Sequence, residues 1–175
     1  MRSGWRGVPL GEGERRALEA FYGADLGDVR LHAGLVARGI ARLLGASAVT
    51  LGRRVFFSPA GWRAREARGR RGLELLAHEA AHVLQYRREG RIRMLVRYLA
   101  SYARHRARGT GHAVAYRCVP HEIEAWAVSD GLAELIGRLP GLVERVGSGA
   151  SPDAGELREL AACGRRVRPA ARERG

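Results

Sequence analysis

The chain has 175 residues, 46% apolar and 28% charged, which fits one globular domain with a real core and excludes a disordered polypeptide. The formal net charge is +13 and all 31 basic residues are Arg. The complete lack of Lys points to a coding bias, so charge alone does not establish a nucleic-acid or anionic-membrane partner. Cys118 and Cys163 are far apart and form no Cys-x-x-Cys, which argues against a disulfide framework and makes a reducing compartment the default. The N-terminus lacks an apolar core of signal-peptide length, and no window approaches about 18 uninterrupted apolar residues. The expectation is a cytoplasmic protein without a transmembrane segment, with leaderless export left open.

In chain order, Glu12 to Tyr22 reads as a short helix closed by Gly23, and Val29 to His32 as a short strand. Leu35 to Leu44 has helical apolar spacing. Ala48–Leu51, Gly52-Arg53 and Arg54–Phe57 read as a β-hairpin, and Ser58 to Gly72 as a charged loop. A largely apolar helix follows, on which only Glu74, Ala81 and Gln85 mark a wet edge. Arg91 to Arg108 is a second helix. Ile92, Leu95, Val96, Leu99, Tyr102 and Ala103 form its packing face, and Arg93, Arg97, Arg104 and Arg108 its solvated face. His112 to Val119 reads as irregular, His121 to Ile136 as a helix, the stretch near Val146 as a short helical piece, and Glu156 to Ala162 as another. Residues 1–146 form the expected domain, and 147–175 a linker, a short helix and a basic flexible tail. The fold class is α+β, mostly helical, with a small sheet or hairpin near the apolar helix.

That helix carries His78-Glu79-Ala80-Ala81-His82. Two histidines four apart stand one turn above each other and can reach a single ion. Glu79 lies about 100° around the helix from His78, near enough to hold a water without ligating the metal. Neutral nitrogen ligands beside a carboxylate base suit Zn²⁺ and hydrolysis, with Glu79 as general base. Zinc requires a third protein ligand. Glu122 and Glu124 lie about 200° apart on the later helix, either could turn inwards, and His121 is a weaker option. An oxyanion formed in hydrolysis needs a donor, and Tyr116, His112, Arg117 and Tyr86 are candidates. Tyr116 is preferred because it precedes the ligand helix and donates without carrying a charge. Arg54–Phe57 is the expected strand edge for pairing with a peptide or protein substrate. Nucleic acid is not an expected partner, since no RNA-binding or DNA-reading motif is present.

His78-Glu79-Ala80-Ala81-His82, followed after a helical spacer by Glu122-Ile123-Glu124-Ala125, resembles the gluzincin pattern. That resemblance implies Glu122 as the third zinc ligand. A closer resemblance rests on the blocks Phe21 to His32, Leu44 to Gly52, Val55 to Phe57, Leu75 to Glu79 and His82 to Gln85. Their order is similar to the zinc metallopeptidase domain family associated with bacterial extracellular contractile injection systems. It implies a zincin-like fold and injection-system or toxin components as partners. Trp126 departs from the gluzincin pattern, standing where an Asp or Asn commonly orients the first histidine; Asp130, a turn further on, is the available substitute. The expectation is a zinc-dependent metallopeptidase-like protein. Its rivals are a non-catalytic zinc-stabilised cargo or adaptor module and, behind that, a basic nucleic-acid or membrane binder.

Overall fold

The computed structural model describes residues 7–35, 37–39 and 45–167. Helix α1 (Glu12–Tyr22) ends where Gly23 takes φ 60, a left-handed conformation open to glycine, and returns its N–H to Glu19 O at 2.7 Å. Strands β1 (Arg30–His32), β2 (Ala48–Leu51) and β3 (Arg54–Phe57) follow, with Gly52 at φ 64 in the tight β2–β3 turn. Most of the predicted helix from Leu35 to Leu44 lies outside the described residues.

The predicted loop from Ser58 holds helix α2 (Pro59–Glu66). Ser58 accepts the Gly61 N–H at 3.1 Å, and Pro59 occupies the first turn, where it needs no N–H partner. This start signal outweighs the stretch's charge and glycine content. The His-Glu-x-x-His helix α3 (Arg70–Glu89) and helix α4 (Arg91–Ala107) meet at Gly90. Helix α5 (His112–Arg117) replaces the predicted irregular stretch, and α6 (Pro120–Arg138), α7 (Pro140–Gly147) and α8 (Ala154–Val167) complete the described chain. No described helix is long and apolar enough to cross a membrane.

The sheet order is β1-β3-β2, with β3 parallel to β1 and antiparallel to β2. Arg54–Phe57 is therefore the central strand, not an edge, and both its sides are occupied. Among the described residues, the free edge beside α3 belongs to β2. Ser58 N–H bonds to Ser47 O, so with Ala48 opposite Phe57 the bonded pairs are 47/58, 49/56 and 51/54. The alternation turns the main-chain groups of Ala48 and Thr50 outwards.

Helices α3 and α6 cross at the centre, with small Ala77, Ala81 and Ala125 buried alongside Leu73, Leu76, Val128, Leu132 and Leu135 in one continuous core. The Tyr22 hydroxyl donates to Ala77 O at 2.6 Å and ties α1 to the turn that presents His78. Gln85, expected at a wet edge, is 1% exposed. Residues 147–175 were expected as linker, short helix and tail; their described part includes α8, which runs beyond the predicted Ala162 and packs on α1 and α6. Leu160 and Cys163 share the core.

Gly164 makes this docking close: a Cβ there would lie 1.7 Å from Phe21 O. Gly164→Ala is expected to cost about 1–3 kcal/mol through overpacking, read as a lower denaturant midpoint. An unchanged midpoint would mean that α8 is not docked on α1.

Candidate metal centre

Helix α3 places His78 and His82 one turn apart, and α6 crosses it so that Glu122 faces both. His78 Nε2 lies 3.2 Å from His82 Nε2 and 3.2 Å from Glu122 Oε2, and His82 Nε2 lies 3.3 Å from Glu122 Oε1. All three residues are buried and form a group close enough to hold a metal ion. Ligand atoms around a tetrahedral ion with bonds of about 2.0–2.1 Å stand about 3.3–3.4 Å apart, close to the observed triangle. Glu122 Oε1 accepts the Tyr98 hydroxyl at 2.8 Å, whereas Oε2, buried near His78, receives no aligned hydrogen bond among the described residues. A buried carboxylate oxygen left so is costly unless a cation satisfies it. The donor set and the orphaned oxygen fit a metal.

The alternatives for the third ligand are turned away. Glu124 holds Arg88 through two bonds of 2.8 and 2.9 Å, and His121 Nε2 is 3.1 Å from Glu89 Oε1. The environments of the two histidines differ. His82 Nδ1 bonds Gln85 Oε1 at 2.8 Å, and Gln85 Nε2 donates to His121 O at 2.9 Å. That second bond fixes the amide, so His82 carries hydrogen on Nδ1 and turns Nε2 towards the centre. His78 Nδ1 is buried and has no partner among the described residues. Trp126 packs against His78 instead, with ring centroids 4.6 Å apart and the ring planes tilted by 55°. Asp130, the predicted substitute, is exposed in the wall of the larger cavity beside the centre.

Glu79 stands beside His78, His82 and Glu122 and is 3% exposed; its Oε2 accepts the Thr50 hydroxyl at 2.7 Å. Thr50 fixes the carboxylate from the edge strand. Two cavities, of about 520 and 330 Å³, meet over the centre and share Ala46, Ala48, Glu79, His112 and Tyr116. His78 lines the larger, and His82 and Glu122 the smaller. Of the other oxyanion candidates, Arg117 lines the larger cavity and Tyr86 the smaller, while His112 Nδ1 pairs with the Tyr102 hydroxyl at 2.8 Å.

Burial opposes charge on His82, but the Glu122 and Glu79 carboxylates more than offset it and push its pKa to about 9. Burial acts to raise Glu122, yet His78, His82 and the Tyr98 hydroxyl hold it far below the ordinary carboxylate range. Burial and the charge of Glu122 push both Tyr98 and Tyr116 well above ordinary phenols, so both remain hydrogen-bond donors.

Tyr98, Thr50 and Gln85 were not assigned roles from the sequence. Strand alternation puts Thr50 on the buried face with Ala48, and Gln85 follows His82 by one turn. Tyr98 lies four residues after Met94, one turn further along α4 and beside its apolar stripe.

Residues 9–90 match the family model described as the eCIS core domain, where eCIS stands for extracellular contractile injection system. The matched segment holds α1, the sheet, α2 and α3 with both histidines; it ends before Tyr98, Tyr116 and Glu122. No curated protein and no solved structure matches the chain.

Without metal, His82 holds a proton at neutral pH that a bound ion must displace. Apparent affinity for a divalent metal is expected to rise about tenfold per unit between about pH 7 and pH 8 and to level off above about 9, as His82 loses its proton. Isothermal titration in buffers of different ionisation enthalpy reads that proton, and a pH-independent affinity would contradict the assignment of His82. In metal analysis, Glu124→Ala should retain the ion and Glu122→Ala lose it; the reverse would overturn the ligand set.

Proposed function

We propose that this chain is a zinc-dependent peptidase of zincin-like architecture that works with components of an extracellular contractile injection system. One observation carries the reading. His78, His82 and Glu122 form a triangle of tetrahedral size, and Glu79, tethered by Thr50, stands beside it in an open cleft. Two nitrogens and one carboxylate are a hydrolytic zinc set. The eCIS core match supports the injection-system setting.

Zinc held there would supply a Lewis acid that polarises a peptide carbonyl and makes water acidic enough to deprotonate near neutral pH. Glu79 takes the proton from the attacking water and passes it to the departing amine nitrogen, so water's oxygen ends on the acyl product and its two hydrogens are divided between the products. The Thr50 hydroxyl leaves Glu79 one oxygen free for this exchange. Tyr116 donates its O–H to the oxyanion, and Tyr98 holds Glu122 in place. The outward N–H and C=O groups of Ala48 and Thr50 on β2 pair with an extended substrate, in place of the Arg54–Phe57 strand.

A second reading has its own observation. With His78 Nδ1 unpartnered beside Trp126, one ligand lacks the acceptor that raises its basicity, which suits a zinc-stabilised module without hydrolytic activity.

Glu79→Gln separates the two. On zinc-loaded protein with quenched fluorescent peptides, the variant should keep its metal and lose cleavage by about a hundredfold or more. Cleavage surviving undiminished would sink the general-base role. Absence of cleavage by the unaltered zinc protein across the peptides would favour the non-catalytic module.

A further inference from the structure

Helix α4 departs from its predicted packing. Ile92, Leu95, Val96 and Leu99 recur at i, i+3, i+4 and i+7 and read from sequence as a buried face. They are 81%, 42%, 58% and 53% exposed, and Met94 is the helix's one buried residue among those described. The helix is thus anchored from the side opposite its apolar stripe. It forms a ledge whose apolar residues face water.

The same segment, 91–108, contains six arginines and no Asp or Glu. All six arginines are exposed, and among the described residues only Arg97 forms an ion pair, with Glu89 at 3.2 Å. On the helical wheel Arg93, Arg97 and Arg104 run along one flank of the stripe, and Arg91 stands on the other. Leu95 and Leu99 also line the smaller cavity, so the stripe continues to the mouth of the cleft.

We propose that α4 docks this protein on an anionic lipid surface, lying in the plane of the headgroups. A nucleic acid would use the arginines and leave the apolar stripe wet. A protein partner would cover the stripe but would not require a helix without Asp or Glu. An anionic bilayer interface uses both: Ile92, Leu95, Val96 and Leu99 enter the acyl boundary, while the arginines reach sideways to lipid phosphates. The surface does not depend on a metal in the centre, so the docking stands or falls apart from the catalytic reading.

The test is co-sedimentation of the whole chain with large unilamellar vesicles of phosphatidylglycerol and phosphatidylcholine in equal parts, against phosphatidylcholine alone. Binding is expected to the mixed vesicles only. Ile92→Ser combined with Val96→Ser should weaken it by about tenfold or more at unchanged charge. Both side chains point into solvent, so an unchanged unfolding midpoint confirms an intact fold. Arg93→Gln with Arg97→Gln and Arg104→Gln should also weaken binding, and added salt should do the same to the unaltered protein. Failure to bind the mixed vesicles would overturn the proposal. Equal binding by the Ile92→Ser/Val96→Ser protein would overturn it too, leaving a surface read by charge alone, as would duplex DNA that binds more tightly than the vesicles.

Discussion

The structure depends on one crossing, that of α3 over α6. It brings two imidazole nitrogens and a carboxylate to within 3.3 Å of one another in a buried site at the floor of the cleft. Small alanines at the crossing allow this approach, and leucines and valines on either side drive it. The arrangement concentrates polar groups where the rest of the core is apolar. Such a cluster is stable only if a cation shares it, either a proton on His82 or a metal ion. The rise in the His82 pKa and the fall in that of Glu122 are two aspects of that one requirement.

The supports around the crossing are uneven. Gln85, itself fixed by a carbonyl of α6, orients His82. Tyr98 reaches Glu122 from α4, and Thr50 reaches Glu79 from the sheet. Elements from the eCIS-core segment and from the chain beyond it therefore converge on one centre. His78 is held by packing against Trp126 rather than by a hydrogen bond. Packing fixes a ring's position but leaves its basicity unassisted. The geometry for holding an ion is thus more complete than the electronic tuning usual for a strong hydrolase.

Much of this was legible in the residues. The spacing of His78 and His82, the hairpin at Gly52 and the Gly23 cap are local signals, and the structure repeats them closely. Glu122 was reached through resemblance, because a helix some forty residues on can turn either of two carboxylates inwards and only the crossing angle chooses. Strand order was not legible: a hairpin does not reveal that β1 will pair with its second strand and leave β2 as the edge. Helix α2 was hidden by its charge, although Ser58-Pro59 announced its start. The apolar face of α4 showed the opposite limit. Its periodicity is that of a buried face, and periodicity cannot tell whether anything arrives to bury it.

The central claim is that His78, His82 and Glu122 together hold a zinc ion. X-ray absorption at the zinc edge of the metal-loaded protein tests it most directly. The account predicts a first shell of nitrogen and oxygen only, at about 2.0–2.1 Å, with the outer-shell scattering of two imidazoles. A shell containing sulfur at about 2.3 Å, which would implicate Cys118 or Cys163, or the scattering of a single imidazole, would contradict it.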